Sequence, residues 1–415
     1  MVNRRGFISL LACAAAAPRI TWAQARPGKV ALYASVGAEF TQYDVNVDGA
    51  ELVKRGSVTL PAGVQYAWPH VSSQYLYVAS SNGGVGLAGA AGDRHHASAF
   101  RIDPSGALRL HGDPISLPSR PIHISTDRPS EHVLIAYNNP SGITVHRINR
   151  DGTLGDEVKQ RAPLDAGIYA HQTRVTPSNK SVILVTRGND AGPGKAEDPG
   201  ALKIFDFNAG LLTGQASIAP RGGYGFGPRH LDFHPSQPWI YVSLERQNQL
   251  WVYQLDGDRV NPGPLFKTDT LADPARVRPR QLAGTVHVHP NGRFVYGVNR
   301  ADGTTDFEGN RVFIGGENNI AVYAIDQGTG EPRLIQSIDT RGIHARTFHI
   351  DPSGRMLVAA NIMPLLVRDD ATVRTVPASL SVFRIGSDGK LEYARKYDVD
   401  VGTASMFWMG MVKLQ

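Results

Sequence analysis

Histidine and acidic side chains recur in short strings of similar spacing, and such side chains can do acid–base chemistry or bind a metal ion. Three strings show the pattern most clearly: PRHLDFHP (228–235), VHVHP (286–290) and FHIDP (348–352). Successive residues of a strand face opposite sides, so only one of His287 and His289 can face inward. The corresponding residues Asp232 and His349 favour His287. His289, like His234, stands at a turn and is expected to cap it.

Several other chemistries lack the residues they need. The only cysteine is Cys13, so a chain cut near residue 25 has no thiol for catalysis, disulfides or metal binding. No Gly-x-Ser-x-Gly motif is present, which argues against a serine hydrolase. The glycine-rich stretch 222–227 has no helix pattern after it, so it is expected to join two strands and not to bind phosphate. No ladder of acidic residues accompanies the histidines, and we predict no metal and no cofactor.

The composition favours a β protein of ordinary charge. The chain has 415 residues, of which 44 are glycine and 27 are proline, and so many helix breakers disfavour a helix-rich bundle. The formal net charge is +6, and the first 25 residues hold three arginines without an acid. The remainder has 40 basic and 37 acidic residues. So small an excess gives no support for nucleic-acid binding.

The strings belong to an internal repeat. Each unit reads as a short alternating strand, a turn, a β-branched strand, a loop and two further strands, and the turns recur every 50 to 62 residues. Four strands in a unit of this length indicate a β-propeller blade. Seven inner strands are expected, near residues 64–71, 120–125, 170–176, 228–234, 284–289, 345–351 and 402–411.

The sequence therefore predicts an all-β fold, a seven-bladed β-propeller of four-stranded antiparallel blades. The last unit contains only an inner strand, at Ser405–Met409, while the start of the chain supplies only outer strands. Pairing of the N- and C-terminal strands should close the ring and remove the exposed edges. Polar residues of the inner strands would converge on a central channel. Four insertions should ring or cover its mouth: 83–97, 188–200, 301–318 and 363–378.

The first 25 residues are typical of an export signal. Arg4 and Arg5 precede a weakly apolar stretch that runs to Ala17, and 23–25 offers a small-x-small cleavage site. This pattern favours a twin-arginine signal over an ordinary secretory signal. Lipoprotein processing at Cys13 is a second alternative. We expect residues 26–415 to form a single periplasmic or secreted domain, exported by the twin-arginine machinery, with no membrane span.

In its repeats and in their motifs, the sequence resembles the seven-bladed lactonases typified by the bacterial propeller-type 6-phosphogluconolactonase. The string 227–235 (GPRHLDFHP) is the most specific match, supported by 286–296 and 351–355, and the similarity covers about 28–415. Fungal carboxy-cis,cis-muconate cyclases belong to the same family. Their site is a His, an Arg, a Glu and a second Arg on successive blades, which match His171, Arg229, Glu245 and Arg300.

The resemblance implies a small-molecule lactone as substrate. His171 or Glu245 would take a proton from water, and Arg229 and Arg300 would stabilise an oxyanion or a substrate carboxylate. His230 and His287 would contact the substrate. Two alternatives remain: a cycloisomerase of the muconate type, and a propeller that binds a ligand or a protein without catalysis. The molecule is expected to be a monomer.

Overall fold

The computed structural model describes residues 29–84 and 89–415. The predicted export signal and Cys13 lie outside the described residues, as does part of the first insertion. The strands, in chain order, are β1 (Val30–Val36), β2 (Glu39–Asn46), β3 (Glu51–Thr59), β4 (Gly63–Pro69), β5 (Tyr75–Ser81), β6 (His95–Ile102), β7 (Leu108–Leu110), β8 (Ile115–Ser116), β9 (Pro121–Thr126), β10 (His132–Asn138), β11 (Ser141–Ile148), β12 (Leu154–Glu157), β13 (Ala170–Val175), β14 (Ser181–Thr186), β15 (Ala201–Asn208), β16 (Leu211–Ile218), β17 (Pro228–Phe233), β18 (Trp239–Leu244), β19 (Gln249–Asp256), β20 (Arg259–Val260), β21 (Phe266–Asp269), β22 (Gln281–Val288), β23 (Phe294–Ala301), β24 (Thr304–Phe307), β25 (Asn310–Phe313), β26 (Asn319–Ile325), β27 (Pro332–Asp339), β28 (Ala345–Ile350), β29 (Met356–Asn361), β30 (Leu365–Asp369), β31 (Thr372–Val376), β32 (Ser379–Ile385), β33 (Leu391–Asp398) and β34 (Met409–Lys413).

Seven antiparallel sheets follow one another along the chain as blades. Blade 1 is β4–β7 with β8 paired to β6, blade 2 is β9–β12, and blade 3 is β13–β16. Blade 4 is β17–β20 with β21 paired to β19, blade 5 is β22, β23, β26 and β27, and blade 6 is β28, β29, β32 and β33. The second strands are mostly apolar and buried, as in β18 (WIYVSL), because both of their faces are covered. The predicted seven-bladed β-propeller is confirmed.

Blade 7 joins the two ends of the described chain. Its order is β3-β2-β1-β34, so the C-terminal strand is innermost and pairs with β1, from Val30 opposite Lys413 to Ala34 opposite Met409. The predicted ring closure is confirmed. A closed ring leaves only short inner strand edges, which face the channel and are protected from other chains.

The last inner strand begins later than predicted. We expected it within 402–411 and placed it at Ser405–Met409, but β34 starts at Met409. The preceding backbone is bonded to other parts of the ring. Trp408 N–H donates to the Ser35 hydroxyl at 3.0 Å, and the carbonyl of Phe407 accepts from Arg346 at 2.8 Å. These bonds hold the segment across the channel mouth.

Two insertions build an eighth, smaller sheet. The hairpin β24–β25 leaves blade 5 and the hairpin β30–β31 leaves blade 6, and Val312 pairs with Leu366 to join them. Asp302 and Met363, at the bases of the hairpins, line a cavity at the channel mouth. The stretch 222–227 lies between β16 and β17, as expected. Its first two residues are the end of a 3-10 turn (Pro220–Gly223).

Buried tyrosines link neighbouring blades. In four blades a tyrosine of the second strand from the channel donates its hydroxyl hydrogen to a glycine carbonyl in the outer turn of the next blade. These bonds are Tyr33 to Gly106 (2.6 Å), Tyr77 to Gly152 (3.1 Å), Tyr241 to Gly330 (2.9 Å) and Tyr296 to Gly389 (2.8 Å). Each of these glycines has a positive φ, which a side chain would strain. The bonds satisfy buried carbonyls and fix the angle between blades.

The remaining core is apolar and lies between adjacent blades, in clusters that draw side chains from two or three blades each. No helix among the described residues is long and apolar enough to cross a membrane.

Tyr296→Phe tests the link between blades. Removing the hydroxyl leaves the buried Gly389 carbonyl without its donor, which should lower the free energy of unfolding by about 1–3 kcal/mol. Urea denaturation measures the change. Tyr224→Phe is the matched control, because Tyr224 is 54% exposed and should change stability by less than about 0.5 kcal/mol. Equal stability of the two variants would contradict the assigned role.

Candidate active site

The inner strands of blades 1 to 6 each carry a break in their ladder. In β13 the ladder pairs Ala170 and Gln172 with successive residues of β14 and skips His171. Arg229 in β17 and Arg346 in β28 are skipped in the same way. A bulge leaves the extra residue unpaired and re-aims its side chain. These three side chains consequently line one cavity at the same end of the channel.

A second layer of cavity residues comes from the ends of the second strands. Arg187 follows β14, Glu245 follows β18, and Arg300 is the penultimate residue of β23. Blades 3, 4 and 5 thus contribute one charged side chain each, at equivalent positions. The cavity has a volume of about 240 Å³, and its other lining residues include Arg120, Ile122, Tyr169, Arg280, Asp302, His344, Ile362 and Phe407.

The carboxylate of Glu245 lies at the centre of the charged groups. Oε2 accepts a hydrogen bond from Arg187 Nη1 at 2.6 Å. Oε1 accepts from Arg300 Nη2 and lies 3.0 Å from Arg229 Nε. Glu245 is 4% exposed and Arg229 is 1% exposed, so these charges are removed from water. One carboxylate therefore holds three guanidinium groups in fixed positions.

The pKa values of this cluster follow from burial and charge. Burial by itself would raise the pKa of Glu245, but the three guanidinium groups outweigh it and hold the pKa well below its usual range. Burial, and then the charge of Arg300, lowers the pKa of Arg229 to about 9. Glu245 is therefore ionised and Arg229 is cationic at neutral pH, and the carboxylate is a weak base.

His171 offers a neutral imidazole to the same cavity. Burial, and then the charge of Arg229, lowers the pKa of His171 well below 6.5. Its buried Nδ1 has no hydrogen-bond partner among the described residues. The ring packs edge-on against His230 with centroids 5.1 Å apart. A neutral imidazole without a competing partner can accept a proton.

A second ion pair closes the side of the cavity below the hairpins. Arg280 donates twice to Asp302, at 2.6 and 2.9 Å. Nδ1 of His344 lies 3.0 Å from the same carboxylate, and its Nε2 lies 3.5 Å from Arg300. Burial lowers the pKa of His344 to about 4. Its ring therefore bridges the two charged groups as a neutral spacer.

The structure brings together four of the six predicted site residues. His171, Arg229, Glu245 and Arg300 line the same cavity. His230 does not line it, because this residue lies deeper in the channel and packs between His171 and His123. The predicted contact between His230 and a substrate in this cavity is therefore not supported. His230 instead packs against His171.

His287 lies in a different cavity. It faces a second space of about 230 Å³ at the opposite end of the channel, together with Arg174, Asp232 and His349. Its Nδ1 is 3.5 Å from Asp232, which also accepts from Arg174 at 3.2 Å. The prediction that His287 shares the site of His171 was wrong. Strand alternation shows that a residue faces the channel but not how deep it lies.

The turn histidines are structural, as expected. His234 Nδ1 accepts from Gln237 N–H at 2.9 Å, and His234 Nε2 lies 2.7 Å from the Gly292 carbonyl. His289 makes the same kind of contact with Gly354 at 2.8 Å. Asp127, Glu131 and His132 lie close enough together to hold a metal ion. They lie in the turn before β10 and at its first residue, outside the cavity, and Asp127 accepts from the backbone of the other two.

Sequence reasoning missed Arg187, Arg346 and Arg120. A signal for the first two was present. Arg346 stands six residues before a turn proline (Pro352), as His171 and Arg229 stand before theirs. Arg187 likewise has the repeat position of Glu245. Arg120 has no such signal, because it lies in the connection before β9.

A ring of seven antiparallel blades with a charged cavity at one mouth defines a seven-bladed β-propeller with a candidate small-molecule site. The sequence model of the family described as "Lactonase, 7-bladed beta-propeller" matches residues 29–363. The chain belongs to this family.

Named relatives agree with that assignment. The 6-phosphogluconolactonase of Bacillus subtilis (strain 168) is 30% identical over 305 residues, which cover 69% of this chain and 77% of the relative. The 6-phosphogluconolactonase of Pectobacterium carotovorum is 30% identical over 266 residues, covering 63% and 69%. The structure of the periplasmic gluconolactonase PpgL of Pseudomonas aeruginosa superposes with a TM-score of 0.67 at 20% identity, covering 92% of this chain and all of that chain. The last likeness concerns the fold.

Glu245→Gln tests the central carboxylate. Without its charge three buried guanidinium groups repel one another, and the free energy of unfolding at pH 7 should fall by about 3–5 kcal/mol. Glu157→Gln is the matched control, since Glu157 pairs with the exposed Lys159 at 2.6 Å and should change stability by about 0–1 kcal/mol. Denaturant unfolding of both variants measures the difference.

The pH dependence of the free energy of unfolding tests the same role of Glu245. Because the folded pKa of Glu245 is depressed, its contribution is fully present above the unfolded value of about 4.3 and is lost as pH falls below it. The gap between wild type and Glu245→Gln should therefore narrow in acid. A gap that stays constant down to acidic pH would contradict the assignment.

Proposed function

We propose that this protein hydrolyses a lactone. Family membership supports the reaction class, and the juxtaposition of a neutral histidine with cationic guanidinium groups in one cavity carries the proposal. Opening a lactone requires an activated water, stabilisation of a tetrahedral oxyanion, and a proton for the departing alkoxide. The cavity supplies a group for each requirement.

His171 is the general base in this mechanism. It takes a proton from water as the water oxygen bonds to the lactone carbonyl carbon. When the ring C–O bond breaks, the imidazolium returns the proton to the alkoxide, and the product is an open hydroxy acid. Glu245 is a poor base because both of its oxygens face guanidinium groups. We assign it the role of a positioning residue for the arginines.

Arg229 and Arg300 stabilise the oxyanion. Ion pairs with Glu245 hold both side chains in place. Nη1 of Arg229 is buried and has no hydrogen-bond partner among the described residues. A preorganised cation in a water-poor site stabilises developing negative charge without reorganisation. Arg187 is the third guanidinium group and binds the other oxygen of Glu245. It also stacks over the ring of Tyr169, 4.5 Å from the ring centre.

Acid release from a panel of lactones tests the function. The panel holds D-glucono-δ-lactone, its 6-phosphate and a carboxylated lactone, each followed in a pH-stat against spontaneous hydrolysis. His171→Gln should lower kcat by about 10²- to 10⁴-fold, because general-base catalysis typically contributes that much. EDTA-treated enzyme should keep its rate if the reaction needs no metal.

His111→Gln is the matched control, because this histidine is half-buried in the connection after β7 and lies outside the cavity. It should retain the wild-type rate. Equal rates for wild type, His171→Gln and buffer would contradict a hydrolase for this panel. Cyclisation of an unsaturated polycarboxylate would then be assayed with the same variants.

We further propose that residues 1–25 are an export signal and that 26–415 act as a monomeric periplasmic domain. The paired arginines at 4 and 5 support the twin-arginine route. The gluconolactonase PpgL, which has the same fold, is described as periplasmic, and this also supports the compartment.

Arg4→Lys together with Arg5→Lys tests the export route. Wild type should appear in the periplasmic fraction of a bacterial host as the shorter, cleaved form. The double variant should remain in the cytoplasm at full length, because the paired arginines are the recognised feature of the signal. Fractionation with N-terminal mass determination measures both. Unchanged export of the variant would favour the ordinary secretory route.

A further inference from the structure

Two buried arginines of the cavity have no acidic partner among the residues that the structure describes. Arg120 and Arg346 are each 5% exposed. Neither forms a salt bridge within residues 29–84 and 89–415, whereas Arg187, Arg229 and Arg300 share Glu245. A buried cation without a counter-charge is costly unless something else supplies the charge.

Neutral groups hold the two side chains in place. Arg120 Nη2 donates to the Gln65 side-chain oxygen at 2.6 Å, and its buried Nε has no partner among the described residues. Arg346 Nη1 donates to the Phe407 carbonyl at 2.8 Å, and its guanidinium lies 3.5 Å from the centre of the Phe407 ring. Arg120 approaches the same ring at 5.6 Å. One aromatic ring therefore locates both cations.

The pair is separated from the Glu245 cluster by its place in the ring. The cluster comes from blades 3 to 5, whereas Arg346 belongs to blade 6, Phe407 precedes the inner strand of blade 7, and Arg120 precedes blade 2. Both arcs line one cavity. A molecule with its reactive carbonyl at His171 would thus extend toward Arg120 and Arg346.

We propose that Arg120 and Arg346 form a subsite for an anionic group, a carboxylate or a phosphate, that the substrate carries away from its lactone carbonyl. The assignment rests on the proposed function, since the orientation is set by His171. The planar fork of a guanidinium matches both kinds of anion. A hydroxyl group would leave the two charges uncompensated, so the subsite selects acid-bearing lactones over neutral ones.

Anion binding tests the subsite without catalysis. Calorimetric titration at low ionic strength uses inorganic phosphate as one probe and malonate as the other. Wild type should bind at least one of them, and Arg346→Met and Arg120→Met should each weaken binding by about tenfold or more. Arg109→Met, which removes an arginine with a 79% exposed side chain, should bind as wild type does. The probe that binds better shows whether carboxylate or phosphate is preferred.

Stability without a ligand separates this role from a structural one. Replacing an uncompensated buried cation by a neutral side chain of similar length should leave the Tm of anion-free protein equal or higher. Added phosphate or malonate should raise the Tm of wild type more than that of the variants. A large loss of Tm in both Met variants would show that the arginines support the fold and would overturn the proposal.

Kinetics completes the test. Arg346→Met should raise KM for an acid-bearing lactone by about tenfold or more and should remove the preference over D-glucono-δ-lactone. Equal anion affinity and equal substrate preference in wild type and both variants would overturn the subsite. Anion binding that depends on Arg346 in a protein that hydrolyses no lactone would support the subsite and refute the proposed function.

Discussion

The charged end of the channel depends on one buried carboxylate. Glu245 is the charge that allows three guanidinium groups to stand within hydrogen-bonding distance of one point in the protein interior. Without it their mutual repulsion and their loss of hydration would both oppose folding. The same contacts make Glu245 a weak base, because three guanidinium groups stabilise its charged form. In the proposed mechanism this residue, which by its type could be catalytic, therefore positions the arginines.

The propeller presents this cluster through two positions of its repeat. In blades 2, 3, 4 and 6 a bulge near the start of the inner strand turns one side chain into the mouth, and in blades 3, 4 and 5 the end of the second strand supplies another. The bulge skips one residue in each of these four blades, so the residue type at that position is what changes. Blade 2 places Ile122 at the bulge where blades 3 and 4 place His171 and Arg229. Chemistry can thus vary at these positions while packing between blades is preserved.

The sequence predicted the blades because their signals are local and repeated. Strand alternation and turn residues recur in each unit, and the ring closure followed from the incomplete first and last units. Depth along the channel was not predictable from alternation, and for this reason His287 was assigned to the wrong cavity. The late start of β34 depends on bonds from Ser35 and Arg346, which come from distant parts of the chain. Arg120 lies in a connection, where no repeat position marks it.

Substrate charge and base strength are coupled in this cavity. After burial, the charges of Arg229 and Arg346 are among the causes that keep the pKa of His171 low, so its imidazole is neutral and weakly basic. An anion bound between Arg120 and Arg346 would offset part of that positive field. The imidazolium that forms when water is deprotonated would then be less disfavoured. Under the proposed mechanism, this excess of positive charge would make His171 the most effective base when an acid-bearing lactone is bound. A neutral lactone of the same shape would gain neither the contact nor the stronger base.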